Sequence, residues 1–118
     1  MRRSSLLGII PLLLVLVAGQ AQAHAMLDHA EPRVGNKVAT VPHEVTLWFT
    51  QTLEAAFSSI TVTDPAGRRI DTGNTRVSGS QMSVSLRPGG PGTYHVKWRV
   101  LSVDSHTTDG SFAFQVGQ

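Results

Sequence analysis

Apolar and polar residues alternate with a period of two along much of the chain. In residues 94–100 the apolar Tyr94, Val96, Trp98 and Val100 are separated by His95, Lys97 and Arg99. Successive side chains of a β-strand point to opposite faces, so this alternation predicts a strand with one buried face. Similar patterns predict further strands at residues 45–50, 59–63, 82–86 and 112–116.

Turn-forming residues separate the predicted strands. Asp64-Pro65-Ala66-Gly67 follows one strand and a segment rich in glycine and proline, residues 87–92, follows another. Proline presets φ and glycine permits a positive φ, so both segments favour chain reversal. Only residues 53–57 favour a helix, and they span little more than one turn. Short strands between such turns predict one all-β domain, a sandwich or a barrel.

Residues 1–23 predict a secretory signal peptide that is not part of this domain. Arg2 and Arg3 precede an apolar run at residues 6–17, and Ala21-Gln22-Ala23 offers small residues for cleavage. The run is shorter than the about 20 apolar residues of a spanning helix. We therefore expect cleavage after Ala23 and a mature domain of residues 24–118 without a membrane span. A retained anchor is the alternative, and export by the Sec or twin-arginine route stays open.

Charge and composition exclude several classes of function. Residues 24–118 contain eight Lys or Arg and eight Asp or Glu, so they carry no net charge with neutral histidines. They have no basic block with interleaved aromatic residues, which gives nucleic-acid binding no support. Nucleotide-binding loops and a nucleophile elbow are absent. Cysteine is absent too, so a metal would need nitrogen, oxygen or thioether ligands.

Histidines are the remaining candidates for chemistry. His43 follows a proline just before a predicted strand, and His95 alternates with an apolar face. Both patterns predict side chains that face solvent. His29 lies five residues after His24 and is a weaker candidate for assisting a metal.

His24 and His106 each have a companion group. Cleavage after Ala23 would give His24 an α-amine beside its imidazole, and the two nitrogens can chelate one metal ion. The pKa of such an amine is about 7.7–8.0, so a metal can displace its proton near neutral pH. In an extended chain Asp104 and His106 would point the same way and could converge on one ion. Three nitrogens and one carboxylate oxygen suit tetragonal Cu(II). Pairs with this spacing are common, however, so these residues alone leave a metal-free protein open.

Longer motifs resemble a known family. The chain contains G-T-Y-x-V-x-W-R from Gly92, S-x-D-x-H from Ser102 and G-x-x-x-F-x-V from Gly110, in this order. His24-Ala25-Met26-Leu27, Ala30-Glu31-Pro32 and Leu47-Trp48-Phe49-Thr50 extend the match over essentially the whole mature chain. Together these motifs resemble the CopC family of periplasmic copper-binding domains. The resemblance implies a small Greek-key β-barrel or sandwich, cupredoxin-like or immunoglobulin-like in outline.

The resemblance also implies a function. It implies a periplasmic, non-catalytic protein that binds one Cu(II) ion for copper resistance, sequestration or delivery. Carried over by position, His24 would supply amine and imidazole nitrogens, His106 an imidazole nitrogen and Asp104 a carboxylate oxygen. A membrane copper transporter of the CopD type is a candidate partner.

Two departures from the family pattern bear on the metal site. Some members carry a glutamate where this chain has Gln51, which is a weaker, neutral ligand. Some members carry a methionine-rich loop for Cu(I), whereas residues 63–69 contain neither Met nor His. We therefore expect a single Cu(II) site and no separate Cu(I) site. Two alternatives remain: a copper-dependent oxidase or monooxygenase with a histidine brace, and a metal-free β-sandwich interaction domain.

Overall fold

Two four-stranded sheets form the computed structural model of this protein, which describes residues 25–117. The first sheet contains, in order, β1 (Leu27–Glu31), β3 (Glu44–Phe49), β6 (Gln81–Ser85) and β5 (Arg76–Ser78). The second contains β2 (Lys37–Val38), β8 (Thr107–Val116), β7 (Gly92–Leu101) and β4 (Ser59–Thr63). Neighbouring strands are antiparallel except β2 and β8, which are parallel. The predicted all-β sandwich is confirmed.

The predicted signal peptide, residues 1–23, lies outside the described residues, and so does His24. Within residues 25–117, no helix has the length and apolar character needed to cross a bilayer. The stretch with helical character contains a three-residue 3-10 helix, Ala55–Phe57.

The core lies between the two sheets and is filled by the apolar members of the alternating patterns. Tyr94 and Phe114 are fully buried, face each other across the β7–β8 pairing and stack with ring centroids 5.5 Å apart. The Tyr94 hydroxyl donates to the carbonyl oxygen of Gly90 at 2.7 Å. A large apolar side chain buried this completely contributes about 1.5–3 kcal/mol to folding. Other fully buried members are Val45, Leu47, Val62, Met82, Val84, Val96 and Val100.

Gly110 allows Trp98 to link the two sheets. Trp98 on β7 lies opposite Gly110 on β8, and a Cβ at residue 110 would collide with Cζ2 of the indole. The Trp98 ring meets Phe49 of the first sheet edge-on, with centroids 5.0 Å apart and planes at 75°. The indole therefore takes the space that a side chain at residue 110 would otherwise fill.

A buried carboxylate ties the loop after β4 to that strand. Asp71 is 3% exposed and accepts hydrogen bonds from the Val62 N–H at 2.8 Å, the Arg69 guanidinium at 2.6 Å and the Gly73 N–H at 3.0 Å. Burial tends to raise the pKa of Asp71, but the bonds from Arg69 and Val62 outweigh burial and lower that pKa below its usual value. The ionised carboxylate is therefore part of the folded structure.

We predict that Asp71→Ala lowers the free energy of unfolding by about 2–3 kcal/mol at pH 7, because charge-assisted hydrogen bonds are lost. Glu44→Ala is the control, since Glu44 pairs with Arg76 at a half-exposed site and such pairs contribute less than about 1 kcal/mol.

The lowered pKa makes the contribution of Asp71 complete above about pH 4. It is lost as the pH falls through the folded-state pKa, so the difference between Asp71→Ala and wild type should shrink in acid. Urea unfolding at several pH values measures both effects, and equal losses in the two variants would contradict the assignment.

Candidate metal centre

Asp104 and His106 meet in the loop that joins β7 to β8. Nδ1 of His106 lies 3.2 Å from Oδ1 of Asp104. The His106 side chain is 45% exposed and the Asp104 side chain is 36% exposed, so a solvated ion can reach both. The structure thus brings together two of the three ligands inferred from the sequence.

The backbone of this loop is a turn and not the extended chain that the sequence argument assumed. The Ser105 N–H donates to the Ser102 carbonyl at 2.8 Å, and the Ser102 N–H donates to the His106 carbonyl at 2.9 Å. Ser105 has a φ of 75°, in the left-handed region that residues with a Cβ seldom adopt. That assumption was wrong: the turn, and not strand alternation, directs Asp104 and His106 toward each other.

A buried serine holds the Asp104 carboxylate. The Ser102 residue is completely buried, and its hydroxyl donates to Oδ1 of Asp104 and lies 3.2 Å from the His106 carbonyl oxygen. The hydrogen bond from Ser102 lowers the pKa of Asp104 below its usual value; partial desolvation opposes this effect and His106 adds to it. Asp104 is therefore an anion at neutral pH, as a carboxylate ligand must be.

The contact with Asp104 determines which nitrogen of His106 suits a metal. A neutral imidazole that donates its Nδ1–H to a carboxylate carries its lone pair on Nε2. Carboxylates orient many metal-binding histidines in this way. In this contact Asp104 is the orienting group of His106 and not a second ligand of the same ion, because Nε2 points away from the carboxylate.

The first described residues lie beside this loop. Ala25 is completely buried, and its carbonyl accepts a hydrogen bond of 2.9 Å from the hydroxyl of Thr108, two residues after His106. The Met26 N–H donates to the Thr50 hydroxyl and the Thr50 N–H donates to the Met26 carbonyl, both at 2.9 Å. The segment that begins at Ala25 is thus fixed at the end of the sandwich that carries Asp104 and His106. His24 directly precedes this segment and lies outside the described residues.

Gln51 is half-buried near the same loop. It lies between Thr50, which is bonded to Met26, and Thr52, whose carbonyl accepts the Val103 N–H at 3.0 Å. The segment containing Gln51 therefore lies between the start of the domain and the loop of Asp104.

The other histidines have different surroundings. The ring of His29 stacks on Trp48 with centroids 4.3 Å apart, and its Nδ1 lies 2.7 Å from Oδ2 of Asp28. Across residues 25–117, no three His, Asp or Glu side chains are grouped closely enough to hold a metal ion, so His29 does not complete a site with Asp104 and His106. His43 and His95 are exposed, as their sequence patterns predict.

These features define a class of protein: a small cysteine-free β-sandwich with an Asp–His pair in one hairpin loop, beside the anchored start of the domain. The sequence model of the CopC domain matches residues 27–117. The chain belongs to the CopC family, which confirms the resemblance noted in its motifs.

Three relatives illustrate the range of the family. Protein YobA of Escherichia coli (strain K12) is 36% identical over 105 residues, which span 86% of this chain and 85% of YobA. Copper resistance protein C of Pseudomonas syringae pv. tomato is 31% identical, with 86% of this chain and 87% of the relative covered. Copper transport protein CutJ of Bacillus subtilis (strain 168) is 28% identical over the full chain, which matches only 23% of CutJ.

Solved structures agree with the fold. CopC from Methylosinus trichosporium OB3b superposes with a TM-score of 0.74 at 31% identity, covering 79% of this chain and 93% of that one. PcoC of Escherichia coli, described as a methionine rich copper resistance protein, superposes with a TM-score of 0.69 at 28% identity, covering 80% and 99%. The two-sheet architecture is therefore the fold of the family.

We predict that Ser102→Ala raises the pKa of Asp104 toward its usual value, because the carboxylate loses its buried hydroxyl donor. NMR titration of the side-chain carboxyl carbons in the metal-free protein measures this change. Asp71 is the internal control. Its carboxylate bonds to Val62 and Arg69 and not to Ser102, so the pKa of Asp71 should not change. An Asp104 titration identical in wild type and Ser102→Ala would refute the role given to the hydroxyl.

Proposed function

We propose that this protein is exported to the periplasm and binds one Cu(II) ion for copper sequestration, resistance or delivery. The proposed ligands are His24, Asp104 and His106. The observation that carries the proposal is the meeting of two groups at one end of the sandwich: the Asp104–His106 pair and the anchored segment at Ala25. The relatives named copper resistance protein C support copper as the metal.

The number of donor atoms supports a role for His24. Asp104 and His106 offer one oxygen and one imidazole nitrogen, which is half of a four-coordinate tetragonal plane. Cleavage after Ala23 would let His24 add an amine nitrogen and a second imidazole nitrogen. Adjacent Cα atoms are about 3.8 Å apart, so fixing Ala25 at Thr108 limits how far His24 can lie from the pair. A plane of three nitrogens and one oxygen suits Cu(II), which also binds such donors more tightly than other first-row divalent ions.

The contacts within the pair limit how both side chains can bind one ion. Nδ1 of His106 and the Ser102 hydroxyl both contact Oδ1 of Asp104, whereas Nε2 of His106 lies on the far side of the ring. Because Nε2 and a carboxylate oxygen cannot reach the same ion while Nδ1 stays on Oδ1, binding by both side chains replaces the contact between Nδ1 and Oδ1. Protons compete for all of these donors, and the lowered pKa of Asp104 reduces this competition at the oxygen.

We propose binding rather than catalysis at this site. A carboxylate in the copper plane occupies a position that oxygen chemistry would require. A separate Cu(I) site is also not part of the proposal, since the methionines after the predicted leader are Met26 and Met82. Met82 is completely buried in the core, whereas Met26 is 60% exposed. Neither has a second thioether as a neighbour in sequence, and Cu(I) favours several soft ligands.

A membrane copper transporter of the CopD type is the proposed recipient or source of the ion. The support comes from CutJ, a copper transport protein that contains a region similar to this entire chain and is about four times as long, since the match covers 23% of it. In CutJ a region of this kind is part of a larger copper transport protein. Where the domain and the transporter are separate chains, we propose that copper passes between them.

We predict that one glycine placed before His24 in the mature protein weakens Cu(II) binding. The extra residue moves the α-amine away from the imidazole and breaks the chelate. The loss should exceed the about 10–100-fold effect of removing an outer-shell partner. Competition titration against a chromophoric chelator measures the affinity, after mass spectrometry has verified both N-termini. Equal affinities would rule out the amine as a ligand.

We predict that His106→Ala abolishes tight Cu(II) binding, since it removes one of three nitrogens, while His43→Ala leaves it unchanged. His43 is the matched control because it is an exposed histidine outside the Asp104 loop. Electron paramagnetic resonance of the Cu(II) forms should show loss of nitrogen coordination only in His106→Ala. Equal weakening by the two substitutions would show non-specific binding by surface histidines.

A further inference from the structure

The residues at the start of the described domain are held by both sheets at once. Thr50 immediately follows β3 of the first sheet and exchanges two hydrogen bonds with Met26. Thr108 lies in β8 of the second sheet and donates its hydroxyl to the Ala25 carbonyl. Chain ends fray unless they are tied down. Ala25 and Met26, by contrast, bridge the open end of the sandwich.

Burial of Ala25 fixes the register of this bridge. Its side chain is completely buried and belongs to the hydrophobic core, whereas Met26 is 60% exposed. A shift of the chain by one residue would place a methionine or a histidine where only a methyl group now packs. Close-packed cores resist such an increase in volume. The position of Ala25 is therefore set along the chain direction as well as between the sheets.

The hydroxyl of Thr108 has a role that packing does not explain. Thr108 lies opposite the fully buried Val100 in the β7–β8 pairing and is half-buried. Valine has almost the same shape as threonine and would suit this inward position at least as well. The difference between the two is the hydroxyl, whose partner is the Ala25 carbonyl, one residue from His24.

We propose that Thr108 is a positioning residue for the metal centre, assisted by Thr50. Its hydroxyl holds the Ala25 carbonyl so that the amine and imidazole of His24 are placed for the ion before the ion arrives. This inference rests on the proposed function, because it takes His24 as a ligand. Outer-shell hydrogen bonds that orient ligands typically account for about 10–100-fold in metal affinity.

The test compares three substitutions in the mature protein that begins at His24. Thr108→Val keeps the shape and removes the hydroxyl, and it should weaken Cu(II) binding about 10–100-fold. Thr108→Ser keeps the hydroxyl and should restore affinity to near the wild-type value. Thr107→Val is the control on the same strand, because Thr107 is exposed and paired with Leu101; it should bind Cu(II) as wild type does.

A second measurement uses the metal-free protein. The Met26 N–H, which donates to Thr50, should exchange with deuterium faster in Thr108→Val than in wild type, while amides of β7 keep their rates. If Thr108→Val does not fold, Thr50→Val removes the other anchor at an exposed residue and should give the same two effects.

The outcomes separate this inference from the proposed function. If wild type binds Cu(II) and Thr108→Val binds it equally well, the positioning role is wrong and the proposed function stands. If Thr108→Ser loses as much affinity as Thr108→Val, the hydroxyl is not the cause and the inference is also wrong. If wild type does not bind Cu(II), the proposed function fails and this inference fails with it.

Discussion

The antiparallel pairing of β7 with β8 is the interaction on which the rest of the structure depends. Gly92–Leu101 pairs along its whole length with Thr107–Val116. This pairing places Tyr94 against Phe114 in the core, and the short loop at its end carries the Asp–His pair. A slip of one residue would turn every core side chain of a strand to the opposite face. The register that builds the core thus also fixes the loop of the metal centre.

Polar side chains reinforce a fold that has no disulfide to close its loops. Asp71 fastens the loop after β4 to the second sheet, Ser102 stabilises the β7–β8 loop and two threonines fasten the start of the domain. Each of these side chains bonds to backbone or to a charged group, and such bonds are costly to leave unmade once their partners are buried. The metal centre and the stability of the domain therefore rely on the same type of interaction.

Local patterns predicted the strands whose inward positions are regularly apolar, such as β4 at Ser59–Thr63. They missed β1, in which the register shifts between Leu27 and His29 and disrupts the alternation. They also missed the first half of β8. Residue 110 is a glycine and contributes no apolar side chain there, because the Trp98 indole from β7 fills the space beside it.

The same distinction holds for the candidate site. Asp104 and His106 are two residues apart, so the sequence alone indicated the pair. It did not predict the turn at Ser105. The bond between Thr108 and Ala25 joins residues 83 positions apart. A threonine hydroxyl carries no local signal of a partner so distant, and only the folded chain reveals it.

The anchoring of Ala25 has a consequence for the precursor. A leader still attached at His24 would have to leave the domain from the end where the Asp104–His106 loop lies, because Thr108 and the buried methyl group fix the chain there. In the uncut precursor the nitrogen of His24 would be a peptide amide, which cannot serve as the amine ligand. Under the proposed cleavage, the domain would gain full affinity for Cu(II) only after export, so newly made protein would not withdraw metal from the compartment of its synthesis.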